Sequence, residues 1–367
     1  MMGRFLIYFA YIGTKYRGIQ IQPTIIKGNV IPTVQGVLHE SLSKLRPANE
    51  YKIFLSSRTD TGVHALKNAC HVDLTHPVEG KEYNPEVMVS VLNYHLKLKN
   101  EEIRILKIKK VPKHFHCRLN ASGRKYVYRL AHLAGTEDAE HNENFLKELN
   151  EFRFLKNKRP CLPYGLPESV LEQNKLAYIW KPFDVEKLIL GAQIVSGIHN
   201  YGSFSKKRKE SETYLPHPVK MLTIGVKRGQ PLGFPFMFDS HISASENLQF
   251  WDIHVRSKSF LYRQVRRVVG AMVLLATNHI KTTDLQDILD NPRTDFSFSG
   301  IMGMPDHGLY LVDVEYNPRD LEFSSSSEDN TLSSTSSDVL SSNDADSSDD
   351  VVDETDDDQN EKVDKER

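Results

Sequence analysis

The sequence predicts a fold that mixes β-strands with α-helices in a cationic body, followed by a tail of opposite charge. Three observations lead there. Short runs rich in Ile, Val, Phe and Tyr recur between residues 4 and 316 and read as strands. Between them lie stretches whose apolar residues keep helical spacing. Beyond Phe323 the chain turns to Ser, Asp and Glu with few apolar residues, too few to bury a core, so 324–367 is expected to be a disordered acidic tail. At 367 residues the chain has room for two domains, or for one large domain with insertions.

In chain order, residues 4–11 form a strand that runs into Ile12-Gly-Thr-Lys-Tyr-Arg-Gly18. The two glycines there mark a loop where the backbone can approach a ligand. Residues 33–45 are amphipathic, with Val34, Val37, Leu38, Leu42 and Leu45 on one helical face and Thr33 suited to the N-cap. Residues 51–55 read as a buried strand and 69–74 as another, with a polar loop between them. Residues 85–96 read as a helix with proline in its first turn, and 102–109 alternate Ile and Leu with charge as a strand does. In 115–129 the end of the segment reads as a strand, with Arg124, Tyr126 and Tyr128 on one face.

Residues 135–180 are polar, then basic and interrupted by prolines, and read as an insertion. A helix through Leu188 and Ile194 follows and ends at 197–205. The tetrabasic run 206–209 suits phosphate or a solvated loop. Residues 219–226 and 248–255 are strands. Residues 259–275 form a helix with an apolar stripe of Leu261, Val265, Val268, Met272 and Leu275, and with Arg263, Arg266, Arg267 and Gly270 on the other side. Residues 283–289 close the helical part, and 307–316 are a final strand.

The charge balance is deceptive. The totals are 47 basic and 48 acidic residues, but 324–367 holds 15 acidic and 3 basic ones, which leaves 44 basic against 33 acidic in 1–323. A cationic body suits a polyanionic partner and is also found on ordinary protein surfaces. Cys70, Cys117 and Cys161 have no CxxC spacing, so they read as free thiols in a reducing compartment rather than as a zinc site or disulfide framework. No apolar run approaches the roughly 20 residues that span a bilayer. With structure expected from about residue 4 there is little room for a signal or transit peptide, and cytosol, nucleus and mitochondrion all stay open.

The chemistry is expected in Ser56-Ser-Arg-Thr-Asp-Thr-Gly-Val-His-Ala-Leu66, between two strands. A carboxylate held beside an arginine on such a loop stays ionised at neutral pH and can act as a nucleophile, although the same residue types also make an ordinary turn. The aromatic–basic strand suits a stacked base with a phosphate near it, or a half-buried edge strand. Arginines opening the helix at 263–267 sit where cations are disfavoured, so an anion is expected to compensate them.

Six stretches together resemble the TruA family of tRNA pseudouridine synthases, closest to its eukaryotic pseudouridine synthase-like 1 branch. They are Tyr11-Ile-Gly-Thr-Lys-Tyr-Arg-Gly18, Ser57-Arg-Thr-Asp-Thr-Gly-Val-His-Ala65, Phe115-His-Cys-Arg118 through Arg124-Lys-Tyr-Val-Tyr128, Gly197-Ile-His-Asn-Tyr-Gly-Ser-Phe204, Phe260-Leu-Tyr-Arg-Gln-Val-Arg-Arg-Val-Val-Gly270 and Gly308-Leu-Tyr-Leu311. They stand in the family's order over about 4–318.

The resemblance implies an α+β fold of two similar halves sharing an extended, mainly antiparallel sheet, with helices on one side and a cleft between the halves. The halves would be 1–110, carrying the nucleophile loop, and 111–320, carrying the aromatic–basic strand and the arginine helix. It implies isomerisation of uridine to pseudouridine in tRNA, with other RNA left open as a substrate, with no cofactor, no metal and no membrane partner, and with homodimers common. Asp60 matches the catalytic nucleophile, Tyr126 the tyrosine that packs on the target base, Arg266 the aspartate's partner and Arg58 the residue that supports the flipped-out nucleotide. Thr61, Cys117, Ile19 and Asn200-Tyr201 depart from the family pattern, which touches RNA positioning more than chemistry. Two other classes are weaker: a catalytically silent RNA binder would not need the Asp60–Tyr126–Arg266 set, and a glycosidase would need a second acid that the loop does not offer.

Overall fold

Alternation of apolar and polar residues organises the sheet. In β1 (Met2–Tyr11), Phe5, Ile7, Phe9 and Tyr11 are buried on one face, while Arg4, Tyr8 and Ala10 are half-buried on the other. β1 pairs antiparallel with β5 (His64–Thr75) on one side and β6 (Ile103–Val111) on the other. Beyond β5 the sheet continues through β12 (Leu309–Tyr316), β7 (Ala121–Leu133), β11 (Leu248–Ser257), β10 (Val219–Arg228) and β9 (Gly197–Asn200). β4 (Phe54–Leu55) adds to β5 and β8 (Ala177–Ile179) to β7, giving ten strands, and β2 (Ile25–Ile26) pairs only with β3 (Asn29–Val30). The pairing is antiparallel except between β5 and β12 and between β7 and β8. The computed structural model describes residues 2–22, 25–26, 29–30, 32–133, 171–179, 182–205, 219–232, 248–292 and 303–323. The expected tail, the tetrabasic run, Cys161 and most of the expected insertion lie outside them.

Among the described residues five helices flank the sheet: α1 (Val34–Ser43), α2 (Pro85–Leu98), α3 (Val185–Val195), α4 (Gln264–Ala276) and α5 (Thr282–Asp290). Three start at side-chain caps, with Thr33 accepting from the Gly36 amide, Asn84 from those of Glu86 and Val87, and Asp184 from that of Lys187. Their buried residues, such as Leu38, Leu92, Leu188, Met272 and Leu285, all join one apolar core with Phe5, Val72, Tyr128 and Val255 of the sheet. A second, smaller cluster of Leu6, Val111, Phe115 and Cys117 also packs on the sheet. Among the described residues no helix is long and apolar enough to cross a membrane.

Four expectations need correcting. Only Phe54 and Leu55 of 51–55 form a strand, and Phe54 is 40% exposed, because β4 is a sheet edge and not a buried strand. The arginine helix begins at Gln264, since Arg263 is left-handed (φ 57°) and so ends the preceding loop. α4 is also buried nearly all round, with Val269, Ala271, Val273 and Leu274 as well as the expected stripe, because α3 and α5 pack against it too. Residues 177–179 are no insertion: they pair with β7.

The strands before residue 112 and those after it meet where β5 runs parallel to β12, His64 opposite Tyr310 and Ala65 opposite Leu311. Leu311 has no exposed surface. Leu311→Ala should cost about 2–5 kcal/mol of unfolding free energy, read by urea denaturation, because the joint cannot collapse around the lost atoms.

Candidate active site

Residues 56–63 leave β4 and enter β5 at this joint, and hydrogen bonds from four directions hold them. The Ser56 amide donates to Ala69 O (2.9 Å) and the Ile19 amide to Thr59 O (3.2 Å). The Tyr11 hydroxyl and Thr59 Oγ1 are 2.7 Å apart, and Asn68 Nδ2 donates to Ser57 O (3.2 Å). Arg124, buried at the start of β7, donates through Nε to Ser57 Oγ (2.9 Å) and through Nη2 to Ser56 O (2.9 Å). The turn closes with Val63 N donating to Asp60 O (3.2 Å), and Gly62 takes φ +78°, where other residues are strained. A Cβ on Gly62 would also stand 2.7 Å from the Asp306 carboxyl carbon. The opening glycine loop expected to meet a ligand meets this loop instead: a Cβ on Gly13 would fall 2.0 Å from Val63 O.

His64, wholly buried, fastens the loop to the far end of the chain. Its Nδ1 accepts from the Gly13 amide (2.9 Å), so in the neutral ring the proton lies on Nε2, which faces His307 O at 3.0 Å and Asn174 O at 3.1 Å. Burial pushes its pKa down to about 4.

The carboxylate of Asp60 reaches two of the arginines opening α4. Its Oδ2 is 3.6 Å from Arg266 Nη1 and 3.9 Å from Arg263 Nε, and Asp60 keeps about a quarter of its side chain exposed. This is the anion that the arginine-rich helix start was expected to need. Arg266 is aimed from behind: its Nε donates to Met304 O (2.6 Å), and the Met304 amide returns a bond to Arg266 O (3.1 Å). Arg267 turns the other way and donates to Ser205 O (2.9 Å).

Tyr126 is 7% exposed and stands edge-on to Phe260, ring centroids 5.1 Å apart. Burial above all, with smaller contributions from Tyr11 and Asp60, raises its pKa far above the ordinary phenol value, so it stays an O–H group. Tyr128 and Arg129 do not join it: the Tyr128 hydroxyl donates to Pro305 O (2.8 Å), and Arg129 is held by Glu172 (3.2 Å) and Gln230 O (2.7 Å). Arg58 stands exposed on the loop.

The sequence did not reveal Asp306, which lies against Gly62. Burial would raise its pKa, but the hydrogen bond with His307 and the charge of Arg266 outweigh that and hold it below the ordinary carboxylate value. So a second carboxyl does stand beside the loop, yet as an ionised group and not as an acid. No local spacing could have flagged it, since only the β5–β12 pairing brings residue 306 to residue 62. Tyr201, at one departure from the family pattern, is buried, with its hydroxyl on Val195 O (2.8 Å) and Gly197 O (3.0 Å) at the end of α3.

His71, His116 and Cys117 place their ligand atoms within 4.8 Å of one another. They stand in non-ligating forms. The Cys117 amide donates to His71 Nδ1 (3.3 Å) and the Arg118 amide to His116 Nδ1 (3.2 Å), while Cys117 Sγ donates to Phe54 O (3.1 Å) with its pKa pushed up to about 12 by burial. They read as packing of the smaller core.

Residues 192–317 match the family model described as tRNA pseudouridine synthase. The chain is 34% identical to tRNA pseudouridine synthase-like 1 of Xenopus laevis over 331 residues, 90% of this chain and 97% of that protein. It is 31% identical to the Homo sapiens protein of the same name, covering 85% of this chain and 90% of the other. It is 27% identical to tRNA pseudouridine synthase A of Ehrlichia canis, covering 85% and 100%.

His64 and His71 both have pKa values lowered to about 4 by burial, against about 6.5 when unfolded. The unfolded chain therefore binds protons in that window and the folded one does not, so stability should be level above about pH 6.5 and fall towards about pH 4. Urea titrations at stepped pH measure this; a stability unchanged across the window would contradict the neutral, Nε2-protonated His64.

Proposed function

The chain belongs to the tRNA pseudouridine synthase family and is an isomerase of that kind; on that premise we propose that Asp60 is its nucleophile and that the target uridine of a tRNA is flipped into the site. The supporting observation is that Asp60 faces Arg266 from a distant part of the chain, with Tyr126 close enough for the charge of Asp60 to act on its phenol. Residues 1–110 and 111–320 are the two halves, joined at the β5–β12 pair, with the cleft between them.

The net reaction breaks the bond from N1 of uracil to C1′ and forms one from C5 to C1′. C5 loses its proton and N1 ends protonated, so no electrons are exchanged. The glycosidic carbon is out of reach in a stacked helix, and extruding the nucleotide costs roughly a few kcal/mol. Arg58, exposed on the loop, occupies the space left behind and meets phosphate. Asp60 attacks as a carboxylate, and Arg266 and Arg263 keep it ionised. Tyr126, held as a neutral phenol, offers the freed uracil a flat face on which to turn.

Asp60→Asn should lower pseudouridine formation in a tRNA pool by at least about 10³-fold, while RNA affinity stays within about a factor of three because phosphate contacts carry it. Residual modification at the wild-type rate would assign the nucleophile elsewhere. Arg266→Lys should cost roughly 10- to 100-fold in the single-turnover rate, since an ammonium group cannot bond Met304 O through one nitrogen and face Asp60 with another.

A further inference from the structure

Arg124 holds more than the loop of Asp60. Besides Ser56 and Ser57, its guanidinium donates to Lys258 O through Nη1 (2.6 Å) and to Arg118 O through Nη2 (3.3 Å). One buried cation thus ties together three backbone segments, 56–57, 118 and 258. The side chains of Arg58, Arg118 and Lys258 on or beside those segments are all exposed. Among the described residues none of the three has a carboxylate partner. On the nearby sheet, by contrast, Lys67 pairs with Asp313, and Lys125 and Arg256 both pair with Glu315. A cluster of uncompensated positive charge around a buried guanidinium is unfavourable unless an anion comes to it.

The same shoulder carries apolar surface. Leu119 is 77% exposed, and Phe54 is 40% exposed on one side while its ring stacks on His71 on the other (4.8 Å, 7° between planes). Phe54 is fixed further by the edge of His116 and by the thiol of Cys117 on its carbonyl. Isolated apolar faces among cations are what a single nucleic-acid strand needs, since bases stack on the one and phosphates meet the other. A protein partner would ask for a wider apolar patch, and an anionic membrane would ask for no fixed stacking face.

We propose that Arg118, Leu119 and Lys258, with Phe54, form an RNA-binding shoulder that grips the strand flanking the target nucleotide, phosphates at the two cations and bases against Leu119 and Phe54. This rests on RNA being the substrate of the adjoining site, with which the shoulder is continuous through Arg124. Arg124 uses only the carbonyls of Arg118 and Lys258, so their side chains can be replaced without cutting its bonds.

The test compares wild type with Arg118→Gln, Lys258→Gln, the double variant, Leu119→Ser and, as a control, Lys97→Gln on the exposed side of α2. Binding of an unmodified tRNA transcript is measured over a range of salt concentrations, and pseudouridine formation is followed with varied enzyme excess. Each cation variant should weaken binding several-fold and lower the slope of log affinity against log salt by about 0.7–0.9, the double variant by about twice that. Leu119→Ser should weaken binding with the slope unchanged. The loss should appear in the concentration needed for half-maximal rate, and the melting temperature should not move. A double variant with the wild-type slope, or a Lys97→Gln control with an equal loss, overturns the proposal. Wild type that binds the transcript but forms no pseudouridine overturns the assigned reaction instead, and the slopes still decide the shoulder.

Discussion

The parallel pairing of β5 with β12 is the constraint on which the site depends. Elsewhere, apart from the short β7–β8 contact, the sheet pairs antiparallel, and each strand could slide its neighbour's register at the cost of exposing one apolar face. Here a strand from the first hundred residues is locked to one from residues 309–316 by two residue pairs, and His64 bonds across the joint to Gly13, Asn174 and His307. The loop before β5 and the turn before β12 are thereby forced against each other. That is why Asp306 touches Gly62, and why Met304 can hold Arg266 at the distance Asp60 requires.

Electrostatics then divides the charged groups by role. Arg124 and Arg129 are consumed internally, the first by carbonyls and a serine, the second by Glu172. Arg266 and Arg263 face a carboxylate at 3.6 and 3.9 Å, outside hydrogen-bond contact, which leaves their pull on Asp60 coulombic. Burying Asp60 without them would favour its neutral form. Asp306 shares the charge of Arg266, which together with His307 holds it below the ordinary carboxylate value.

Much of this was legible in the sequence because it is local. The helix starts at Thr33 and Asn84 rest on caps a few residues long, and the β-strands on period-two alternation over their own length. The need for an anion near the arginines of 263–267 could be stated from helix electrostatics alone. What misled was also local. The glycines at 13 and 18 looked like ligand glycines because close backbone approach has one signature whatever approaches, and here Val63 and Thr59 do so. Arg124 suits a phosphate contact by its strand position, which does not tell that four acceptors, three of them from distant segments, surround it.

By itself, then, the sequence determined the element types, the cationic body, the motif order that marks the family, and the candidates Asp60, Tyr126, Arg58 and Arg266, since propensity, periodicity and motif spacing are properties of short stretches. Only the tertiary structure decided that Arg263 also faces Asp60, that His64 and Arg124 are the clamps of the loop, and that Asp306 stands beside it. Such contacts join residues as far apart as His64 and His307, 243 positions along the chain, and no short-range pattern encodes which distant acceptor a buried donor will find.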